Sequence, residues 1–307
     1  MRGSITIGTR GSKLALVQAE WALARLRELN PGLKASIVKI VTRGDQEIDT
    51  GLDKFVGQGI FVKEMERALI DGKIDLAVHS LKDMPITIPG ELSLAAVTLR
   101  FDPRDVLISR SGRLTELAPG SKVGTGGIRR TVQLLTCRSD LKICEIRGNI
   151  DTRLRKVFKG ELDGIVIAAA AMIRMGWKDK ITEYLPVEHF VPAVGQGALG
   201  IEIRSSDKET ATLVSYVNHE ATWQSVAAER AFLQALGGGC RSPIAALGMV
   251  SGNTLKLEGM VASASGSHIL RCSEEGNALA PEEVGIRLAQ KMVEMGALDY
   301  IVEAQAW

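Results

Sequence analysis

Through the first two hundred residues, short apolar runs alternate with amphipathic stretches, and the spacing of apolar positions changes from one to the next. SITIG at 4–8 predicts a strand. SKLALVQAEWALARLREL at 12–29 predicts a helix, with Leu14, Val17, Trp21 and Ala24 on one face and Ser12 as its N-cap. SIVKIV at 36–41 predicts a second strand, a helix follows at 61–71 and closes at Gly72, and IDLAVHS at 74–80 predicts a third strand ending in a polar turn. From about residue 98 the pattern begins again. DVLIS (105–109) and KICEI (142–146) read as strands, GIRRTVQLLTCR (127–138) and NIDTRLRKVFKG (149–160) as helices, and GIVIAAAA (164–171) as a buried strand running into a helix. This βα alternation predicts two α/β blocks with largely parallel strands, although no close sequence repeat relates them. The end of the chain differs. A helix at 223–236 leads into the strand-like runs IAALGMV, TLKLEGMV and HILRCS, separated by the turn signals SGN and SASGS, and an amphipathic helix follows at 281–296. That pattern predicts a small α+β domain.

Composition narrows the class. The 307 residues are 45% hydrophobic and 24% charged, as expected of a globular protein of two or three domains. A net charge of +2 and an aromatic content of 4% argue against a nucleic-acid partner. No apolar run approaches a membrane span, and MRGSITIGTRGSK at the start shows no signal-peptide pattern, so no membrane partner is expected and the expected location is the cytoplasm. The cysteines at 137, 144, 240 and 272 match no CxxC or zinc spacing, so free thiols and no metal are expected.

Where the charges sit is more informative than their sum. Arg10 follows a strand, Lys82 lies in HSLKDMP, Arg129 and Arg130 follow GTGG, Arg147 begins RGN with Arg153 just beyond, and Arg174 follows IAAAAMI. Arginines in a first helical turn oppose the helix dipole. They are either solvated surface residues or receptors for anions, working with free backbone N–H groups. Their recurrence at strand-to-helix junctions suggests a cleft for a ligand with several carboxylates or phosphates. GTGG lacks both the Walker spacing and a full GxGxxG, so nucleotide binding is not supported. Asp83 is either a turn former or a carboxylate able to stabilise a cation or move a proton in a basic site. His79 reads as a hydrogen-bonding structural residue. PAVGQGALGIEIR (192–204), with Gln196, reads as a hinge or a cleft wall. In LGGGCRSP, three glycines bare the approach to Cys240, and Arg241 favours its thiolate. A buried or incidental thiol is the alternative, and none of the histidines at 79, 189, 219 and 268 sits in a recognisable protease context.

Seven stretches, in order, carry a resemblance to a known family: IGTRGSKLALVQA (7–19), GIFVKEMERAL (59–69), DLAVHSLKDMP (75–85), VGTGGIRRTVQL (123–134), IRGNIDTRL (146–154), PAVGQGALGIE (192–202) and AERAFLQALGGGCRSPIAA (228–246). The chain resembles porphobilinogen deaminase nearly end to end. The resemblance implies two α/β domains like the halves of type II periplasmic binding proteins, joined by two crossovers, plus a small C-terminal α+β domain. The implied division is 1–98 with 196–215, then 99–195, then 216–307. It implies a dipyrromethane cofactor, held through a thioether to Cys240, that primes the head-to-tail condensation of porphobilinogen into hydroxymethylbilane. Asp83 is implied as the catalytic carboxylate. Ser80, Lys82, Thr125, Arg129, Arg130 and Arg153 are implied on the cofactor side. Arg10, Ser12, Arg147 and Arg174 are implied for the incoming substrate or growing chain, with Gln18, Lys54, Phe61 and Gln196 lining the same cleft. A monomer with a small-molecule substrate is expected. Gly126-Gly127 departs from a Ser-Ser pair frequent in the family, and Gly237 from a frequent Glu. The rival readings are a two-domain solute or effector binder without chemistry, which explains neither Cys240 nor HSLKDMP, and a degenerate member that binds tetrapyrroles without making them.

Overall fold

A computed structural model describes residues 3–41, 62–239 and 242–305. The chain forms two compact units, Met1–Phe101 with Ala198–Trp223, and Asp102–Gly197 with Gln224–Trp307.

The first unit holds a five-stranded sheet in the order β2-β1-β3-β10-β4, built from β1 (Ser4–Arg10), β2 (Lys34–Ile40), β3 (Leu76–Ser80), β4 (Leu92–Val97) and β10 (Leu199–Arg204). β1 runs parallel to β2 and β3, while β10 is antiparallel to β3 and β4. Helix α1 (Lys13–Leu29) begins where the Ser12 side chain accepts a hydrogen bond from the Ala15 N–H. Its buried positions are Ala15, Gln18, Ala19, Ala22 and Leu26 rather than the expected Leu14, Val17, Trp21 and Ala24. Both sets have helical spacing, and the small alanines let the helix axis lie closer to the sheet than Leu or Trp would. Helix α2 (Lys63–Ile70) closes at Gly72, whose φ of 70° lies in the left-handed region.

The second unit repeats this topology. Its sheet runs β7-β6-β8-β5-β9, from β5 (Asp105–Ser109), β6 (Lys122–Thr125), β7 (Lys142–Glu145), β8 (Gly164–Ala168) and β9 (Glu183–Tyr184). β6 runs parallel to β7 and β8, while β5 is antiparallel to β8 and β9. Helices α3 (Ile128–Cys137), α4 (Ile150–Phe158) and α5 (Ala169–Arg174) join these strands. Three parallel strands, then one reversed strand, then an edge strand is the arrangement of type II periplasmic-binding-protein domains. Four of the five strands in each sheet run the same way, in line with the expectation of largely parallel strands, and only β10 or β5 is reversed. The physical reason is common to both: β5 and β10 are the first strands after the chain passes between units, at Asp102 and Ala198, and each enters its new sheet from the opposite direction.

After α6 (Lys208–Ser215), helix α7 (Glu220–Ala235) leads to the antiparallel meander β11 (Ile244–Ser251), β12 (Thr254–Ala262) and β13 (Ile269–Asn277), then α8 (Pro281–Glu294) and α9 (Ala297–Gln305). Phe232, Leu257, Val261, Leu288 and Met292 fill one core between this sheet and its helices. Its other face packs on the second unit's sheet domain, where Ala245, Leu247, Met260 and Ala262 cluster with Val132 of α3 and Val191. Among the described residues no helix is long and apolar enough to cross a membrane, and no group of side chains is placed to hold a metal ion.

Candidate active site

In parallel sheets, ligands meet the chain beyond the carboxyl ends of the strands, and the candidate residues of the first unit gather there. β1 ends at Arg10 and the neighbouring parallel strand β3 ends at Ser80. Beyond Ser80 the chain makes a single 3-10 turn, Leu81–Asp83, and Pro85 prevents its continuation. Apolar and polar residues split on this turn. Leu81 and Met84 are buried, Lys82 is half-buried and Asp83 is exposed. The Leu81 N–H donates to Ala198 O at 3.1 Å and the Met84 N–H to Leu81 O at 3.1 Å. Two side chains and two backbone bonds thus pin the turn and leave its carboxylate facing outward. Gln18, buried on α1, donates through Nε2 to Ser80 Oγ at 2.7 Å, so these two candidates are brought together. Behind Ser80, His79 Nε2 lies 3.0 Å from Glu202 Oε2 of β10, both side chains buried. The sequence expectation for His79 did not supply this partner.

The second unit gathers a separate group. β6 ends at Thr125, buried, whose Oγ1 donates to Val166 O at 3.4 Å. Gly126 and Gly127 follow, and Gly127 begins α3 at φ 100° with no side-chain cap. Arg129 and Arg130, in the first turn of α3, are both buried and both turn onto Asp105, the first residue of β5. Arg129 Nη2 lies 2.8 Å from Asp105 Oδ2. Arg130 donates from Nη2 and Nε to Asp105 Oδ1 at 2.7 and 3.0 Å. Gln196 Nε2 donates to the same oxygen at 2.9 Å and to Pro103 O at 2.7 Å, and Arg129 Nη1 donates to Val191 O at 2.7 Å. Burial alone would raise the Asp105 carboxyl, but the charges of Arg129 and Arg130, with hydrogen bonds from Arg130 and Gln196, hold it well below the usual carboxylate range. Arg153 donates from Nε to Gly148 O at 2.8 Å, and a Cβ on Gly126 would stand 3.3 Å from its Nη1. Arg147 pairs with Glu145 at 3.1 Å on the surface. Arg174 donates to Gly197 O at 2.7 Å, and burial pushes its guanidinium down to about 10.

Arg129, Arg130 and Gln196 are thus one cluster, Ser80 and Gln18 another, and Arg153 stands beside the Gly126 backbone. Ser12 is engaged as the cap of α1. Lys54, Phe61 and Cys240 lie outside the described residues. Sequence reasoning passed over Asp105 and Glu202. Their one signal was a carboxylate directly beside β-branched apolar residues, in DVLIS and LGIEIR.

Family comparison decides what kind of protein carries this arrangement. A family model described as "Porphobilinogen deaminase, dipyromethane cofactor binding domain" matches residues 5–212, and one for the porphobilinogen deaminase C-terminal domain matches 223–294. The chain belongs to the porphobilinogen deaminase family. The porphobilinogen deaminase of Pelotomaculum thermopropionicum is 46% identical over 306 residues, covering 99% of this chain and 98% of that one. That of Bacillus subtilis is 47% identical over 304 residues, covering 98% and 96%. Among solved structures, the BenM effector-binding domain with benzoate aligns at 16% identity and a TM-score of 0.44, over 73% of this chain and 91% of that one. As a porphobilinogen deaminase family member the chain is an enzyme of tetrapyrrole biosynthesis, and the strand-end residues of both units fall within the match to its cofactor-binding domain.

Proposed function

We propose that the protein condenses four porphobilinogen molecules head to tail into hydroxymethylbilane, as a cytoplasmic monomer, from a dipyrromethane held by a thioether to Cys240. At each addition a C–C bond forms between a pyrrole α-carbon and an aminomethyl carbon. The C–N bond breaks, ammonia leaves and the attacking α-carbon loses its proton. Water finally releases the product. When bound, the cofactor supplies a covalently tethered pyrrole whose free α-carbon is the first nucleophile.

The donor set fits such a group. Each pyrrole ring carries an acetate and a propionate, and Arg129, Arg130, Arg153, Lys82, Ser80 and Thr125 offer guanidinium, ammonium and hydroxyl donors to carboxylates. The bare Gly126 backbone beside Arg153 leaves the room that a Cβ would fill. We assign Arg10, Ser12, Arg147 and Arg174, with Gln18, Gln196, Lys54 and Phe61, to the incoming substrate and growing chain, and residues 216–307 to the domain that presents Cys240.

Asp83 is the proposed catalytic residue. Its carboxylate accepts hydrogen bonds from pyrrole N–H groups, offsets the positive charge that develops there, and takes the proton released from the attacking α-carbon. The observation that carries this role is an exposed carboxylate on a turn that Leu81 and Met84 pin from beneath.

The test is intact mass under denaturing conditions together with turnover. The expected mass excess equals two porphobilinogens less two ammonias and maps to the Cys240 peptide. Asp83→Ala keeps that excess and loses turnover by roughly 100-fold or more. Normal turnover by Asp83→Ala rejects the assignment. No mass excess, even after incubation with porphobilinogen, rejects the anchor at Cys240.

A further inference from the structure

Two guanidiniums on one buried carboxylate is an unbalanced cluster. Arg129, Arg130 and Asp105 are all buried, and together they hold one more positive than negative charge. Like charges side by side repel, and burial withholds the water that would screen them. Helix α3 does not help, since both arginines sit in its first turn, where the dipole disfavours cations. What keeps them together is the way Asp105 divides its oxygens. Oδ2 takes Arg129, while Oδ1 takes Arg130 and Gln196. Asp105 is itself fixed at the head of β5, between β8 and β9. One carboxylate thus sets two guanidiniums side by side and leaves a single surplus charge.

From this geometry we infer that Asp105 is a positioning residue, which assembles the Arg129–Arg130 pair and leaves one net positive charge to be met by a carboxylate of the pyrrole chain. The inference rests on the proposed role of these arginines as cofactor ligands. It adds that their working charge is a difference, two minus one, set by a residue that touches no ligand. Arginine alone at these positions would not suffice, because without Asp105 each keeps only a neutral acceptor of its own, Val191 O for Arg129 and Gln196 Oε1 for Arg130, and no carboxylate joins the two.

The experiment follows loading of apo-protein with preformed hydroxymethylbilane, read as appearance of the Cys240 adduct by intact mass and as the rise in melting temperature on loading. Asp105→Asn keeps the shape and removes the charge. Asp105→Glu keeps the charge and moves it by about one carbon–carbon bond, ~1.5 Å. Wild type should load fastest, Asp105→Glu more slowly, and Asp105→Asn at least about tenfold more slowly than wild type. Apo-protein melting separates this from a merely structural role. A variant whose apo form melts near the wild type yet loads slowly supports the inference, and a folded variant of either kind that loads at the wild-type rate overturns it. If Asp105→Asn does not fold, the Asp105→Glu rate decides. Arg129→Gln tests the underlying reading separately. Slow loading by Arg129→Gln with normal loading by Asp105→Asn rejects Asp105 alone, whereas normal loading by Arg129→Gln rejects the role of the arginine.

Discussion

Gly200 offers a way to move the Asp83 turn without touching any polar group. It lies in β10 opposite His79, buried under the turn. A Cβ added there would stand 2.7 Å from Leu81 Cδ1, 2.8 Å from Met84 Sδ and 2.9 Å from Leu94 Cδ1. Comfortable contact needs about 3.5 Å or more, so each of these groups must retreat by roughly 0.6–0.8 Å. Two of the three belong to the side chains that pin the turn. Overpacking of this kind costs about 1–3 kcal/mol, equivalent to a loss of roughly 2–10 °C in melting temperature. A misplacement near 1 Å at a reacting group can cost about 100-fold in rate. Gly200→Ala should therefore lower kcat by roughly tenfold or more, while KM changes less because no ligand-binding side chain is altered.

The control is Gly8→Ala. There an added Cβ would overlap Ile74 Cδ1 and crowd Met65 Sδ, in the same unit but against neither Leu81 nor Met84. Gly8→Ala should lose comparable stability with little change in kcat. The assay is initial-rate kinetics with thermal melting on both variants. If Gly200→Ala melts lower yet turns over like the wild type, Leu81 and Met84 do not set the position of Asp83. If the two variants lose kcat equally, the effect is general softening and the coupling is refuted.

Cys240→Ser should purify at the bare polypeptide mass, whereas single serine variants of Cys137, Cys144 and Cys272 should keep the cofactor excess; an adduct on Cys240→Ser would move the anchor elsewhere. Glu66 gives a pH-dependent prediction. Burial raises its carboxyl above the ordinary range, the Glu202 charge adds to this, and His79 and Lys63 oppose it. A carboxyl raised in the folded state favours folding below its unfolded value, about 4.3, and that contribution is lost as pH rises through the folded value. Glu66→Gln should thus have a higher urea midpoint than the wild type at about pH 7, with the gap closing towards about pH 4. A gap that does not change with pH would remove the electrostatic explanation.

Individual elements were legible where a short apolar run is bounded by polar or turn residues, including strands buried on both faces. DVLIS (105–109) coincides with β5, and GIVIAAAA breaks into β8 and α5 as its apolar run implies. β10 was harder to see because Glu202 interrupts its apolar run, and that charge makes sense only once buried His79 is placed beside it. The packed face of α1 does not follow from side-chain size, because close helix–sheet packing prefers Ala15, Ala19 and Ala22 to larger apolar residues. The common direction of the strands was legible in the βα alternation, and the one reversed strand of each sheet was not. Period reports whether a segment is a strand, and it is silent on which sheet the segment joins or from which side it enters. β5 and β10 both enter after a passage between units, so both reverse.

The same limit governs the site. HSLKDMP and LGGGCRSP announce themselves because their chemistry lies within a few residues of chain. The arginines announce themselves only as cations, and a count of cations overstates what a ligand meets. Arg129 and Arg130 reach a carboxylate more than twenty positions earlier, at the start of β5, and part of their charge is already answered there. Arg147 is partly answered by Glu145, two residues away, yet that pair is solvated and screened. Burial is what separates the two cases. At the surface an ion pair leaves the arginine nearly as available as before. In the Asp105 cluster the carboxylate fixes both the spacing and the residual charge, so recognition of a ligand carboxylate depends on an acidic residue. Removing that acid adds net positive charge to the pocket and should still weaken its hold on an anion.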